Sequence, residues 1–223
     1  MAEPSRPGTL VVIGASAGGQ SPLCQLLAGL PDDVDAALLV VVHRSGPNAL
    51  PRVLSRCGPL PVRFATDGDR LEAGRVLLAP PDHHLEVTDG RVRLGRGPRE
   101  NGVRPAVDVL FRSAAKACGA DVVAVVLSGS LDDGAAGARA VNEAGGMTIV
   151  QDPEEATFFG MPDSAARLAR PAHVRRAAEI PALVTAFAAD PSRSGRATAR
   201  PAGTEDRSPA SDASEAEDGQ PAA

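Results

Sequence analysis

The sequence predicts an α/β fold: a doubly wound, mostly parallel sheet with flanking helices and an antiparallel hairpin at its edge. Three observations carry this. Short β-branched runs alternate with helical stretches over residues 9–189, the order that builds βαβ units. Several of the runs are apolar without interruption, as strands covered on both faces must be. The stretch HLEVTDGRVRLG alternates on both sides of Asp89-Gly90, a two-residue hairpin signal.

In chain order, TLVVIG (9–14) reads as a buried strand. SPLCQLLAGL follows, with Leu23, Leu26, Leu27 and Leu30 at helical spacing. AALLVVVH (36–43) is a second buried strand, and NALPRVLSRC (48–57) a short helix. VRFAT and RVLLAP are two further strands, followed by the hairpin. PAVDVLFRSAAKAC (105–118) is an amphipathic helix with Pro105 suited to its first turn. DVVAVVLS (121–128) is another buried strand, with a helix from about Ala135 to Ala144. MTIVQD is the next strand, and helices around 162–168 and 180–189 complete the domain.

The 223 residues suffice for one substantial core. Hydrophobic residues make up 43 % of the chain but aromatics only 2 %, with no Trp or Tyr. The core must therefore be aliphatic. Residues 1–8 read as a short lead, 9–189 as the folded domain, and 190–223 as a disordered tail rich in Ser, Ala, Pro and charge. A formal charge of -5, without a basic run or stacking aromatics, argues against nucleic-acid binding. No apolar run reaches membrane-spanning length, and MAEPSRPG lacks the apolar core of a signal peptide. Cys24, Cys57 and Cys118 are odd in number and widely spaced. That favours a reducing, cytoplasmic setting, with the cysteines as small core residues rather than a disulfide framework or metal site.

Chemistry is concentrated at the ends of the strands. Gly14-Ala15-Ser16-Ala17-Gly18-Gly19 leaves the first strand and opens the first helix. Small residues permit a sharp turn that exposes Ser16, and the helix N-terminus can bind developing negative charge. The run also fits GxSxG. Alone it is a weak signal, equally that of a turn serine or a helix cap. A phosphate loop is disfavoured because the run lacks the P-loop lysine and does not fit GxGxxG.

A serine hydroxyl needs a base. His43 ends the second buried strand and so shares a rim with Ser16, where open α/β sheets place their sites. An orienting acid is expected at a third strand end. DVVAVVLS leads into Gly129-Ser130-Leu131-Asp132-Asp133-Gly134. Either aspartate could reach the histidine, and either could cap the following helix.

These residues carry a specific resemblance to the catalytic domain of the chemotaxis protein-glutamate methylesterases. IGASAGG (13–19) resembles the family's IGASTGG, VVH (41–43) its strand ending in the catalytic histidine, and LSGSLDDGAAG (127–137) its LTGMGxDGAxG. LAPPDHHLEV, RPAVDVLFRSAA and FGMPDSAA match further family stretches. The resemblance implies a Ser16–His43–Asp133 triad, choosing Asp133 over Asp132. It implies oxyanion donors from the backbone at Ala17 and Ser130. No metal or organic cofactor is implied, and the implied partner is a methylated chemoreceptor or other methylated signalling protein. Glutamine deamidation is a second implied activity.

Three departures stand out. Ala17 replaces the family threonine. Ser130-Leu131 replaces Met-Gly, and Leu131 restricts the backbone if that position needs positive φ. The third departure is that only about eight residues precede the first strand, so regulation by a receiver domain of its own is not expected. A competing reading is a receptor- or signalling-protein-binding module of the same fold with weak or no turnover, to which the altered 129–132 loop points. Beside these, His84 with Asp82 is expected to order a loop, His83 to lie at the surface, and His173 to sit in a strand or loop. Met161 and Pro162 are expected to shape a helix start, and Arg104 to anchor a loop or meet an acidic substrate.

Overall fold

The computed structural model describes residues 7–43 and 49–190. All of the expected tail, 190–223, except Asp190 lies outside the described residues, as do residues 1–6 of the expected lead. The elements in chain order are β1 (Thr9–Ala15), α1 (Gln20–Ala28), β2 (Ala36–Val42), α2 (Leu50–Leu54), β3 (Val62–Phe64) and β4 (Arg75–Leu78). Next come β5 (His84–Thr88), β6 (Arg91–Gly95), α3 (Val107–Cys118), β7 (Val122–Val126) and α4 (Ala135–Glu143). The domain ends with β8 (Met147–Gln151), α5 (Gly160–Ala169), β9 (His173–Arg175) and α6 (Ile180–Ala188).

Seven strands form one parallel sheet in the order β3-β4-β2-β1-β7-β8-β9. The continuous apolar runs become its centre, because β1, β2 and β7 must be dry on both faces. Alternate residues then divide between two cores. Leu10, Val12, Leu39, Val41 and Val126 face a core with Leu110 and Phe111 of α3, Ala138 of α4 and Ala165 of α5. Val11, Ile13, Leu38, Val40 and Val125 face the other, with Leu23, Leu26 and Leu27 of α1, Leu54 of α2 and Val184 of α6. Phe111 is the single aromatic among the largest fully buried side chains. Its truncation to alanine costs about 3–5 kcal/mol.

The β5–β6 hairpin turns at Asp89 (φ 50°) and Gly90 (φ 72°). Two positive φ values match the right-handed strand twist of a two-residue turn. The hairpin forms a two-stranded antiparallel sheet of its own, with Leu85, Val87 and Val92 buried in the α3 core.

Two expectations need correction. First, α3 begins at Val107 rather than in a first turn containing Pro105: Ala106 is extended (φ -110°, ψ 140°). The physical reason is that the N–H groups of Val107 and Asp108 go to an external carboxylate, described below, which fixes where the helix starts. Second, Cys24 and Cys57 form a disulfide, with Cα atoms 5.0 Å apart. They are separated by 33 positions in sequence, but α1 and α2 pack on the same face of the sheet. Cys118 is half-buried against the α3 core.

Candidate active site

The parallel register brings the first two candidate residues together. Ala15 pairs with Val42, the last residues of β1 and β2. Ser16 and His43 follow immediately, and the His43 N–H donates to the Ala15 carbonyl at 3.0 Å. They lie at the carboxyl end of β1, whose neighbours are β2 on one side and β7 on the other. The chain changes winding direction here, at the kind of switch point where open α/β sheets place their sites.

The turn after β1 is held from the far side by Ser128, at the end of β7. The Ser16 N–H donates to the Ser128 carbonyl at 2.9 Å. The Ser128 hydroxyl donates to the Ala17 carbonyl at 2.9 Å and accepts the Phe158 N–H at 3.0 Å. The backbone of Ser128 is fixed in turn by its N–H to Gln151 Oε1, 2.8 Å. Gly18 has φ +71°, and a Cβ there would lie 2.8 Å from Ser128 Oγ and 2.9 Å from Thr157 Cβ, so only glycine fits. Ser16 is half-buried, and its hydroxyl makes no hydrogen bond to a described residue. The Ala17 and Ser130 N–H groups likewise have no partner among the described residues.

Asp133 is buried, whereas Asp132 is exposed. His43 Nε2–H donates to Asp133 Oδ2 at 2.7 Å. The same oxygen accepts the Val107 N–H at 2.7 Å, while Oδ1 accepts the Asp108 N–H at 3.0 Å and Asn101 Nδ2–H at 2.9 Å. Burial alone pushes this carboxyl upward. The bonds from His43, from the backbone of Asp108 and Val107, and from Asn101 outweigh it and hold it below the usual carboxylate range. Asp133 is therefore ionised at neutral pH, able to fix the tautomer and orientation of His43.

Asn101 and Asp108 were not singled out from sequence. Asn101 Nδ2 also donates to Asp108 Oδ2 at 2.9 Å, and Asp108 Oδ1 accepts the N–H groups of Gly134 and Gly137, the latter at 2.6 Å. Asp108 on α3 thus caps the start of α4, just after Asp133. Burial raises its carboxyl above the ordinary range; the Gly137 N–H and Asn101 oppose this, and the charge of Asp133 reinforces it. A signal existed: Asp108 shares a helical face with Phe111 and Ala115, both buried.

The remaining expected residues are supports. His84 is buried, with Nε2–H donating to the Pro98 carbonyl at 2.9 Å and Nδ1 accepting the Ala106 N–H at 3.3 Å. It ties down both ends of the loop that carries Asn101. Asp82 pairs with Arg104 at 2.7 Å rather than with His84, and Arg104 also donates to the Gly97 carbonyl at 2.6 Å. His83 is a half-buried loop residue bonded to Pro81 and Arg96, and His173 begins the edge strand β9. Met161 is fully buried at the start of α5, with Pro162 beside it.

The 129–134 loop lies against the serine. A Cβ on Gly129 would overlap Met161 Sδ and come within 2.8 Å of Ser16 Cβ. Leu131 does adopt positive φ, +66°. Among the described residues no group of three His, Cys, Asp or Glu side chains could hold a metal ion. No helix among them is long and apolar enough to cross a membrane.

Comparison with known proteins agrees with this architecture. The catalytic domain of Thermotoga maritima CheB methylesterase, a crystal structure, superposes with a TM-score of 0.77 at 35 % identity, covering 81 % of this chain and 98 % of that one. A Myxococcus xanthus protein named protein-glutamate methylesterase/protein-glutamine glutaminase 4 is 42 % identical over 161 residues, 71 % of this chain and 45 % of that protein. A protein of the same name from Geobacter metallireducens is 40 % identical over 182 residues, 80 % of this chain and 52 % of that protein. The chain thus spans about half the length of these curated relatives. A family model described as CheB methylesterase matches residues 11–184, and the chain belongs to that family.

Proposed function

We propose that the protein is a serine hydrolase that cleaves glutamate methyl esters on signalling proteins such as chemoreceptors, and that it also deamidates glutamine side chains. The observation that carries this reading is the 2.7 Å bond from His43 to the buried, ionised Asp133, with Ser16 at the adjacent strand end. The names of the relatives supply the substrate class.

In this mechanism His43 keeps Nε2–H on Asp133 and takes the Ser16 proton at Nδ1. Ser16 Oγ attacks the side-chain carbonyl. The N–H groups of Ala17 and Ser130 stabilise the oxyanion, a contribution of about 2.7–4 kcal/mol per donor in comparable sites. The imidazolium returns its proton to the leaving methoxide, or to the leaving amine of glutamine, and methanol or ammonia departs. Water then attacks the acyl-enzyme, with His43 again acting as base, and releases the free glutamate.

The competing reading is a binding module of the same fold with weak or no turnover, and Leu131 at positive φ in the oxyanion loop favours it. A fluorophosphonate probe separates the two. Labelling of the wild type but not of Ser16→Ala supports the hydrolase. No labelling of correctly folded wild type supports the binding module.

A further inference from the structure

Beside Ser16 lies an apolar rim that the reaction itself does not require. Leu131 is 75 % exposed, Phe159 63 % and Phe158 44 %. These are three of the five large hydrophobic residues on the described surface, so the exposed apolar material is concentrated at one place. They are contiguous through the backbone. A Cβ on Gly160 would sit 2.7 Å from the Leu131 nitrogen, the Gly129 N–H donates to the Phe158 carbonyl at 2.9 Å, and the Met161 N–H donates to the Gly129 carbonyl at 2.9 Å. The rim adjoins the nucleophile on two sides: Gly129 is packed on Ser16 Cβ, and Gly18, two residues after Ser16, is packed on the Phe158 ring.

Leu131 adds a second, independent observation. A leucine at φ +66° is strained, and strain is retained where the surroundings or the function require that residue. The position lies in the loop that packs against Ser16 through Gly129. Here it carries a large apolar side chain turned to solvent, in the chain's least favourable backbone region for it. Neither burial nor backbone preference accounts for leucine at this position.

We propose that Leu131, Phe158 and Phe159 determine specificity by receiving aliphatic side chains that flank the modified glutamate on the protein substrate. This rests on the methylesterase reading above. Aliphatic neighbours of the ester lose water against the rim as the ester reaches Ser16. Polar neighbours gain nothing there. Discrimination of about tenfold or more is expected, the usual scale for one aliphatic group in an apolar site.

The test uses two synthetic peptides, each carrying one glutamate γ-methyl ester, flanked by leucines in one and serines in the other. Methanol release is followed for wild type, Leu131→Gly and Phe159→Ser. The expected result is a wild-type ratio of kcat/KM of about ten or more in favour of the leucine peptide, falling towards one in both variants. Because the readout is a ratio within one enzyme, a general loss of activity does not imitate the effect. Equal cleavage of both peptides by wild type, or an unchanged ratio in the variants, overturns the specificity proposal and leaves the esterase reading intact. Cleavage of neither peptide by folded wild type overturns both.

Discussion

Asn101 Nδ2 lies 2.9 Å from Asp108 Oδ2 and 2.9 Å from Asp133 Oδ1, so one amide bridges two buried carboxyl groups. It lowers the pKa of both, which means that it stabilises their ionised forms. Removing it in Asn101→Ala raises both carboxyls in the folded state. Above the carboxylate range the variant is expected to be less stable by about 1–2 kcal/mol. The deficit shrinks as pH falls through that range, because protonated carboxyls no longer need the donor. Urea denaturation at neutral pH and near pH 4 checks the sign: a deficit that grows on acidification contradicts it.

The two neighbouring aspartates should separate cleanly. Asp133→Asn replaces an acceptor of four hydrogen bonds with a group that presents N–H to at least one donor. Activity is expected to fall about 10³–10⁴-fold, the scale seen when the orienting acid of a triad becomes an amide. The exposed Asp132→Asn is expected to stay within about twofold. Steady-state ester hydrolysis by both variants is the measurement, and equal losses would point to the wrong acid.

Gly129 packs against Ser16 at the start of the 129–134 loop, which supplies an oxyanion donor in the proposed mechanism. In Gly129→Ala the new methyl group meets Met161 Sδ and Ser16 Cβ. The loop must shift, at a stability cost of about 1–3 kcal/mol. Losing the aim of a single oxyanion donor lowers kcat by about 10²–10³. A kcat close to wild type in a folded Gly129→Ala protein would show that this loop does not serve the oxyanion.

Leu131→Gly relieves about 1–2 kcal/mol of left-handed backbone strain against an entropic cost of glycine of about 0.5–1 kcal/mol. A net gain of about 0.5–1 kcal/mol is expected, raising Tm by about 1–4 °C. Calorimetry that finds a lower Tm would mean that the exposed leucine side chain is held by packing after all.

The Cys24–Cys57 bond closes a loop between residues 33 apart and is expected to add about 3–4 kcal/mol to the oxidised protein. A reducing cytoplasm would keep the pair as thiols. Thiol titration with peptide mapping, with and without dithiothreitol, decides whether the bond forms. The drop in Tm on reduction, absent in Cys24→Ser, measures its contribution.

The fold was legible because central parallel strands announce themselves: TLVVIG and AALLVVVH have no polar face to hide. Their ends also located Ser16 and His43 on one rim, since strand register follows from the run lengths. The hairpin was legible in Asp89-Gly90, the pair that tolerates positive φ. What escaped depends on contacts between distant elements. Asn101 sits in an exposed loop, and its role exists only because His84 pins that loop beside α3 and the start of α4. Residue type and position left Asp132 and Asp133 open as acids, and the family resemblance rather than the local pattern chose Asp133, the aspartate that is buried and bonded to His43. The pairing of Cys24 with Cys57 needs α1 and α2 side by side, which spacing alone does not reveal. The start of α3 moved for a related reason: the carboxylate of Asp133 takes the N–H groups of Val107 and Asp108.

The central claim is that Ser16, served by His43 and Asp133, cleaves glutamate methyl esters. Methanol release from a methylated chemoreceptor preparation, measured for wild type and Ser16→Ala side by side, tests it most directly. The account predicts release by wild type and none above background by the variant, with both proteins folded. Equal release by Ser16→Ala would contradict it.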